Sequence, residues 1–140
     1  MSNQPDGSKL DKVAIAREVC STPITDFSPD IFERWLWDDV ELHYPGSAPI
    51  PFSGLWQGRE SFPRFLQMFG ETVETEEMAF DSFHGDGDNV FIAGRTKGRV
   101  RATGKQYSSA WMLVWTFRGD KVCRMVEYHN TQAMADAFAA

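Results

Sequence analysis

Apolar and polar positions divide the chain into a helical first part and a β-rich second part. Before residue 75, apolar residues recur at helical spacing, and helix-starting residues precede them. The clearest start is Ser28 as an N-cap followed by Pro29 at the first helical position. The predicted helices cover about 9–20, 28–38 and a third segment from about 58, with a short strand at 40–44 and an irregular loop at 45–57.

From residue 75 onward, turns rich in glycine and charged residues separate four runs with β-type alternation. Strands longer than ~10 residues must bend, and Gly94 and Gly98 are the predicted bend or bulge points of the second run. A short C-terminal helix is predicted at 131–138. Helices followed by a curved antiparallel meander indicate an α+β domain whose helices pack in the hollow of the sheet. The runs cover about 75–84, 88–101, 105–118 and 121–130.

Neither face of the run at 105–118 is polar. Trp111 and Trp115 share one face, and Met112 and Val114 share the other. One face can cover the helices and a cavity, whereas the other would leave a large apolar patch exposed on a monomer. The pattern therefore predicts a homodimer formed through the face that carries Trp111 and Trp115, with Met112 and Val114 facing the cavity.

Composition limits the size of the protein and its partners. With 140 residues, of which 42% are hydrophobic, the chain can build one packed core, so we predict a disordered leader at 1–8 and a single domain at 9–140. The formal net charge of -6 argues against nucleic acid and against anionic membranes. The chain has neither the ~18 consecutive apolar residues of a membrane-spanning helix nor a signal-peptide core, which predicts a cytoplasmic protein. The three histidines show no metal-ligand spacing, so no metal site is predicted.

The order of the motifs resembles a known superfamily. A helix followed by WDD, a strand ending in HYPGS, a helix opening with GRESF and a meander ending in WTFRGDKVCRMVEYHNT extend over residues 31–138. This arrangement is similar to the nuclear-transport-factor-two-like superfamily, nearest its SnoaL-like polyketide cyclases, with ketosteroid isomerases and limonene epoxide hydrolases as cousins. The resemblance implies a cone-like curved antiparallel sheet wrapped around three to four helices, an internal pocket, and frequent dimers. Because that superfamily mixes enzymes, binders and interaction proteins, the fold does not settle the function.

The resemblance also points to positions for polar pocket residues. The strand after the second helix supplies a pocket acid or amide in relatives, and His43 and Tyr44 stand there; a slip of one residue decides which of the two faces the pocket. Relatives carry an acid near the end of the last strand, where this chain has Asn130, which can form hydrogen bonds but cannot take a proton. Asn130 is equally suited to capping the C-terminal helix. In that case Glu127, whose strand parity is opposite, is the remaining acid.

Together these features predict a cofactor-independent enzyme that transfers a proton on a hydrophobic polyketide-, terpenoid- or steroid-like metabolite, by cyclase, isomerase or hydrolase chemistry. His43 or Tyr44 would exchange the proton, and Asn130 with Tyr128 would orient the substrate. Two alternatives stay open: a non-catalytic protein that binds a hydrophobic ligand, and a dimeric scaffold with a vestigial pocket. The predicted substrate-binding residues are Tyr128, Glu41, Trp35, Phe65, Met68, Phe69, Met112 and Val114.

Overall fold

The computed structural model describes residues 11–23, 26–47 and 49–140, which form four helices and six strands. The α+β class is confirmed, and the leader predicted at 1–8 lies outside the described residues. The helices are α1 (Lys12–Ser21), α2 (Pro29–Trp35), α3 (Ser61–Thr72) and α4 (Thr131–Phe138). The strands are β1 (Leu36–Tyr44), β2 (Gly54–Gln57), β3 (Val73–Asp86), β4 (Asn89–Val100), β5 (Gln106–Arg118) and β6 (Lys121–His129). In these segments, no helix is long and apolar enough to cross a membrane.

Helix α2 begins as predicted and ends earlier than predicted. The Ser28 side chain accepts a hydrogen bond from the Ile31 backbone N–H, and Pro29 occupies the first helical position. The helix ends at Trp35, three residues before the predicted end at Asp38, because the buried Leu36 already pairs with Val122 of β6. Pairing with β6 therefore places the residues after Trp35 in a strand, although local signals had predicted that the helix continues to Asp38.

The six strands form one curled, open sheet in the order β2-β1-β6-β5-β4-β3. Neighbouring strands are antiparallel except β1 and β6, which are parallel. Strand β2 lies in the stretch predicted as an irregular loop and pairs with the end of β1. The parallel pair has a consequence for the site, because β1 and β6 end at the same edge of the sheet.

The sheet is irregular beside the two glycines of β4 that were predicted as bend or bulge points. Register shifts in the β3–β4 pairing follow Phe80, which pairs with Gly94, and Thr75, which pairs with Gly98. The β4–β5 pairing is continuous from Asn89 to Arg99, so the extra residue of each bulge belongs to β3. These glycines also make room for aromatic side chains on β5. A Cβ on Gly94 would clash with the Trp111 ring, and one on Gly98 would lie 2.8 Å from the Tyr107 ring.

The odd-numbered residues of β5 from Tyr107 to Phe117 lie on the concave side of the sheet, which faces the helices. Trp111 and Trp115 are buried there, while Met112, on the outer face, is 40% exposed. The predicted placement of the two faces is therefore wrong. The observed placement has a physical reason. The concave side of a curled sheet encloses a wide space, and large aromatic side chains fill it better than Met112 and Val114 would.

Candidate functional site

A cavity of about 560 Å³ lies between the concave face of the sheet and the helices. Its volume falls within the range of small-molecule sites, roughly 300–1,000 Å³. Most of its wall is apolar, and aromatic side chains come from α2, α3 and β5; they include Trp35, Phe65, Phe69, Trp111 and Trp115. The wall therefore suits a hydrophobic, ring-containing ligand.

Four polar side chains meet at one end of this cavity: Tyr44 of β1, Tyr107 of β5, and Glu127 and His129 of β6. Parallel β1 and β6 end here, and antiparallel β5 begins here, which brings their terminal residues together. Glu127 and His129 are two residues apart on a strand, so both point into the cavity. Tyr128, between them, is 58% exposed on the outer face.

Glu127 and His129 form the centre of the polar cluster. The Nδ1 atom of His129 lies 3.1 Å from Oε2 of Glu127, and the side chains are 2% and 18% exposed, respectively. The two atoms are not aligned for a hydrogen bond, and neither ring nitrogen of His129 has a hydrogen-bond partner among the described residues. The Tyr44 ring packs on the imidazole with 4.9 Å between ring centroids. A buried imidazole with unpaired nitrogens is unfavourable unless a ligand or water pairs with it.

The two tyrosines are held in their protonated form. Burial, followed by the charge of Glu127, raises the pKa of Tyr44 far above its ordinary value. The same causes raise the pKa of Tyr107 to about 12. The Tyr44 hydroxyl lies 3.8 Å from the Met134 sulfur, whereas the Tyr107 hydroxyl has no hydrogen-bond partner within the described parts of the chain. Both hydroxyls can therefore donate to a ligand oxygen at neutral pH.

The structure decides the register of β1 in favour of Tyr44. Tyr44 is buried in the cavity wall, whereas His43 lies on the outer face with its Nε2 3.0 Å from Oε1 of Glu41. The side chains of His43 and Glu41 therefore do not reach the cavity, so His43 cannot exchange a proton with a ligand there and Glu41 cannot contact it. Among the predicted apolar contacts, Trp35, Phe65 and Phe69 line the cavity. Met68 packs against the core, and Met112 and Val114 lie outside the cavity lining.

Asn130 ends β6 and caps α4. Its side chain accepts a hydrogen bond of 3.0 Å from the Ala133 backbone N–H, and it does not line the cavity that holds Glu127. The capping alternative is thus the one the structure shows, and Tyr128 points outward. Sequence reasoning missed His129. Taking Asn130 as the cap would have placed Glu127 and His129 on the face opposite to it, which is the cavity face.

Replacing Asn130 by alanine is expected to lower the free energy of unfolding by about 1 kcal/mol, because the first turn of α4 loses its cap. Urea unfolding curves will measure the change. Asn130→Asp is the matched control, since aspartate keeps a capping oxygen and should retain stability close to wild type. A loss of ligand binding or turnover in N130A with unchanged stability would contradict the capping assignment.

Among the described residues, no group of three or more His, Cys, Asp or Glu side chains is placed to hold a metal ion. The polar end of the cavity instead combines one carboxylate, one imidazole and two phenolic hydroxyls. A carboxylate can take up a proton, and neutral hydroxyls can stabilise a developing oxyanion. This combination suits proton transfer next to a carbonyl group.

Comparisons with known proteins agree with this fold. A family model described as a SnoaL-like domain matches residues 25–125. A nuclear-transport-factor-two-like protein from Burkholderia xenovorans is 29% identical, with 74% of this chain and 78% of that chain covered and a TM-score of 0.66. A protein from Jannaschia, with a suggested role as a SnoaL-like polyketide cyclase, is 14% identical over 99% of both chains, with a TM-score of 0.75. A suggested isomerase from Bacillus subtilis is 18% identical over 79% of both chains, with a TM-score of 0.64. Among proteins with curated descriptions, none matches this chain.

Proposed function

The chain belongs to the SnoaL-like domain family, and on that premise we propose that it is a cofactor-independent enzyme that transfers a proton on a hydrophobic, carbonyl-containing small molecule. The observation that carries the proposal is the placement of Glu127, His129 and two tyrosines at one end of an otherwise apolar cavity. Cyclase and isomerase roles suggested for proteins of the same fold agree with it. Polyketide-, terpenoid- and steroid-like carbonyl compounds are the substrate classes that we propose, in the cytoplasm.

In this proposal Glu127 is the base. Its carboxylate takes a proton from the carbon next to the substrate carbonyl. The C–H electron pair forms a carbon–carbon double bond, and the π pair of the carbonyl moves onto oxygen to give an enolate. The hydroxyls of Tyr107 and Tyr44 donate to that oxygen as its negative charge develops. In a β,γ-unsaturated ketone, returning the proton to the γ carbon gives the conjugated isomer. Alternatively, attack of the enolate carbon on a second carbonyl closes a ring, and the resulting alkoxide takes the proton back from Glu127. Both outcomes start from the same first step.

His129 acts on the carboxylate rather than on the substrate carbon. Its ring is held between the Tyr44 ring and the Glu127 side chain, which limits the positions that the carboxylate can adopt. The surrounding aromatic wall limits the access of water to the carboxylate and to the enolate. His129 is therefore a positioning residue in this proposal.

Deuterium uptake from D₂O tests the proposed first step directly. Fused-ring ketones such as 2-tetralone are incubated with the protein, and deuterium at the carbon next to the carbonyl is followed by mass spectrometry. We expect uptake faster than in buffer and faster than with heat-unfolded protein. If ketones that bind in the cavity show no accelerated uptake, the proposal is wrong and the cavity serves ligand binding without catalysis.

We also propose a homodimer, now through the outer face of the sheet. Met112 and Tyr128 are adjacent on β5 and β6 and are 40% and 58% exposed. Such a pair in the middle of a sheet favours contact with a second copy. Sedimentation of M112K/Y128K is expected to show monomers where the wild type shows dimers. Met78→Lys, at an exposed apolar position elsewhere, is the control and should leave the dimer intact. A monomeric wild type would overturn the proposal.

A further inference from the structure

The cavity has two chemically different ends. At one end stand the polar groups Tyr107, Glu127 and His129, whereas the other end, near Trp115 and Val122, is apolar. Glu127 and Val122 of β6 both line the cavity, and they are five positions apart, which corresponds to roughly 16 Å of strand. A ligand that fills this space meets the charged residue Glu127 and the unpartnered groups of Tyr107 and His129 in the same part of the cavity.

The charge of the cavity is as uneven as its polarity. Among the described residues that line it, Glu127 carries a negative charge and none is a lysine or an arginine. The basic residues of β4 lie on the outer face, where Arg95 pairs with Asp81 and Arg99 pairs with Glu76, each at 3.4 Å. The basic strand that could have held an anionic substrate is thus turned away from the site.

An anionic ligand is therefore disfavoured in this cavity. Its charge would have to lie in the apolar part, where burial of an unpaired ion is costly, or beside Glu127, where like charges repel. His129 is the one described lining residue that could become a cation, and Glu127 is already its neighbour at 3.1 Å. Carboxylates and phosphates consequently find no counter-charge among the described lining residues.

The polar end does offer unpaired hydrogen-bonding groups. The Tyr107 hydroxyl and both ring nitrogens of His129 are buried without a hydrogen-bond partner among the described residues. Leaving such groups unpaired is unfavourable, so a ligand that pairs with them gains affinity. The Tyr107 hydroxyl, which is neutral at physiological pH, needs an acceptor, and a carbonyl oxygen supplies one without adding charge.

We infer that the cavity selects uncharged over anionic ring compounds with one oxygen function, whose oxygen accepts a hydrogen bond from Tyr107 on the side of Tyr44 while the rings extend toward Val122. Compounds of the same shape that carry a carboxylate are excluded. The inference rests on the proposed function for the identity of the site, and it adds the charge and the orientation of the substrate. It concerns binding, so its failure can be separated from a failure of catalysis.

A matched series of naphthalene compounds tests the inference by equilibrium dialysis at pH 7.5. The probes are 2-acetonaphthone, 2-naphthoate, 2-naphthylmethylammonium and naphthalene, which differ in the charge and presence of the polar group. We expect 2-acetonaphthone to bind at least about tenfold more tightly than 2-naphthoate. In Glu127→Gln the difference in affinity between the two compounds should shrink, because 2-naphthoate binds more tightly once the negative charge of Glu127 is removed. We also expect the ammonium compound to bind more tightly than 2-naphthoate, because its charge is opposite to that of Glu127. Equal or tighter binding of 2-naphthoate by the wild type, or no binding of the ketone, would overturn the inference.

Tyr107→Phe tests the orientation. This variant should lower the affinity for 2-acetonaphthone severalfold and leave the affinity for naphthalene unchanged, because only the ketone accepts a hydrogen bond. Tyr128→Phe makes the same chemical change on the outer face and should alter neither affinity. Equal effects of the two variants would contradict the orientation. Circular dichroism confirms that each variant is folded.

Deuterium uptake separates the two hypotheses. If the ketone binds with the expected selectivity but takes up no deuterium, the inference on binding stands and the proposed catalysis fails. If a carboxylate-bearing ketone binds and takes up deuterium at an enhanced rate, catalysis stands and the inference on charge fails.

Discussion

Replacing Glu127 by glutamine is expected to slow deuterium uptake by bound ketones about 10²–10⁴-fold, the usual contribution of a positioned general base. Glutamine has nearly the same shape but takes no proton, so the affinity for an uncharged ketone should change only a few-fold. The carboxylate is close to the two groups that would assist it, the His129 ring and the tyrosine hydroxyls. Rates of uptake at saturating ketone and dissociation constants from dialysis measure the two effects separately.

The chain contains its own control for this experiment. Glu41 also precedes a histidine by two residues and lies 3.0 Å from it, but that pair is on the outer face of the sheet. Glu41→Gln should therefore leave deuterium uptake at the wild-type rate. A rate in Glu127→Gln equal to that of the wild type, or an equal loss in both variants, would show that Glu127 is not the base.

Replacing Phe52 by alanine is expected to lower the free energy of unfolding by about 3–5 kcal/mol, as for other fully buried aromatic residues. Phe52 lies in the loop before β2, and its ring contacts four aromatic rings. Its centroid is 4.8 Å from that of Phe69 and 5.2 Å from that of Tyr44. Since Tyr44 lines the cavity, we also expect weaker ketone binding in the folded fraction.

Urea unfolding measures this change, and Leu55→Ala is the control. Leu55 is a large apolar residue only three positions away, but it is 53% exposed. Its truncation should therefore lower the free energy of unfolding by at most about 0.5 kcal/mol. A similar loss in both variants would mean that Phe52 contributes bulk hydrophobicity and not the support of the aromatic cluster that holds Tyr44.

Local signals were sufficient for most elements of the fold. Ser28 and Pro29 start α2 where a cap and a proline predict a helix, and the turn around Gly119 separates β5 from β6 at the expected place. Strand β2 was missed because it has four residues after a proline-containing loop and exists through its pairing with β1. The parallel contact of β1 with β6 joins residues about 80 positions apart, and no local pattern encodes it.

The sequence by itself determined which side chains share a face: Trp111 with Trp115, and Glu127 with His129, because alternation along a strand is a property of the backbone. Only the tertiary structure decided which face is concave. Curvature results from register shifts in β3 and from pairing between distant strands, and the helices then cover whichever face is concave. The tryptophans consequently line a cavity and not a dimer face. Glu127 and His129 supply the polar groups of that cavity, a role that the sequence had suggested for His43 and Asn130.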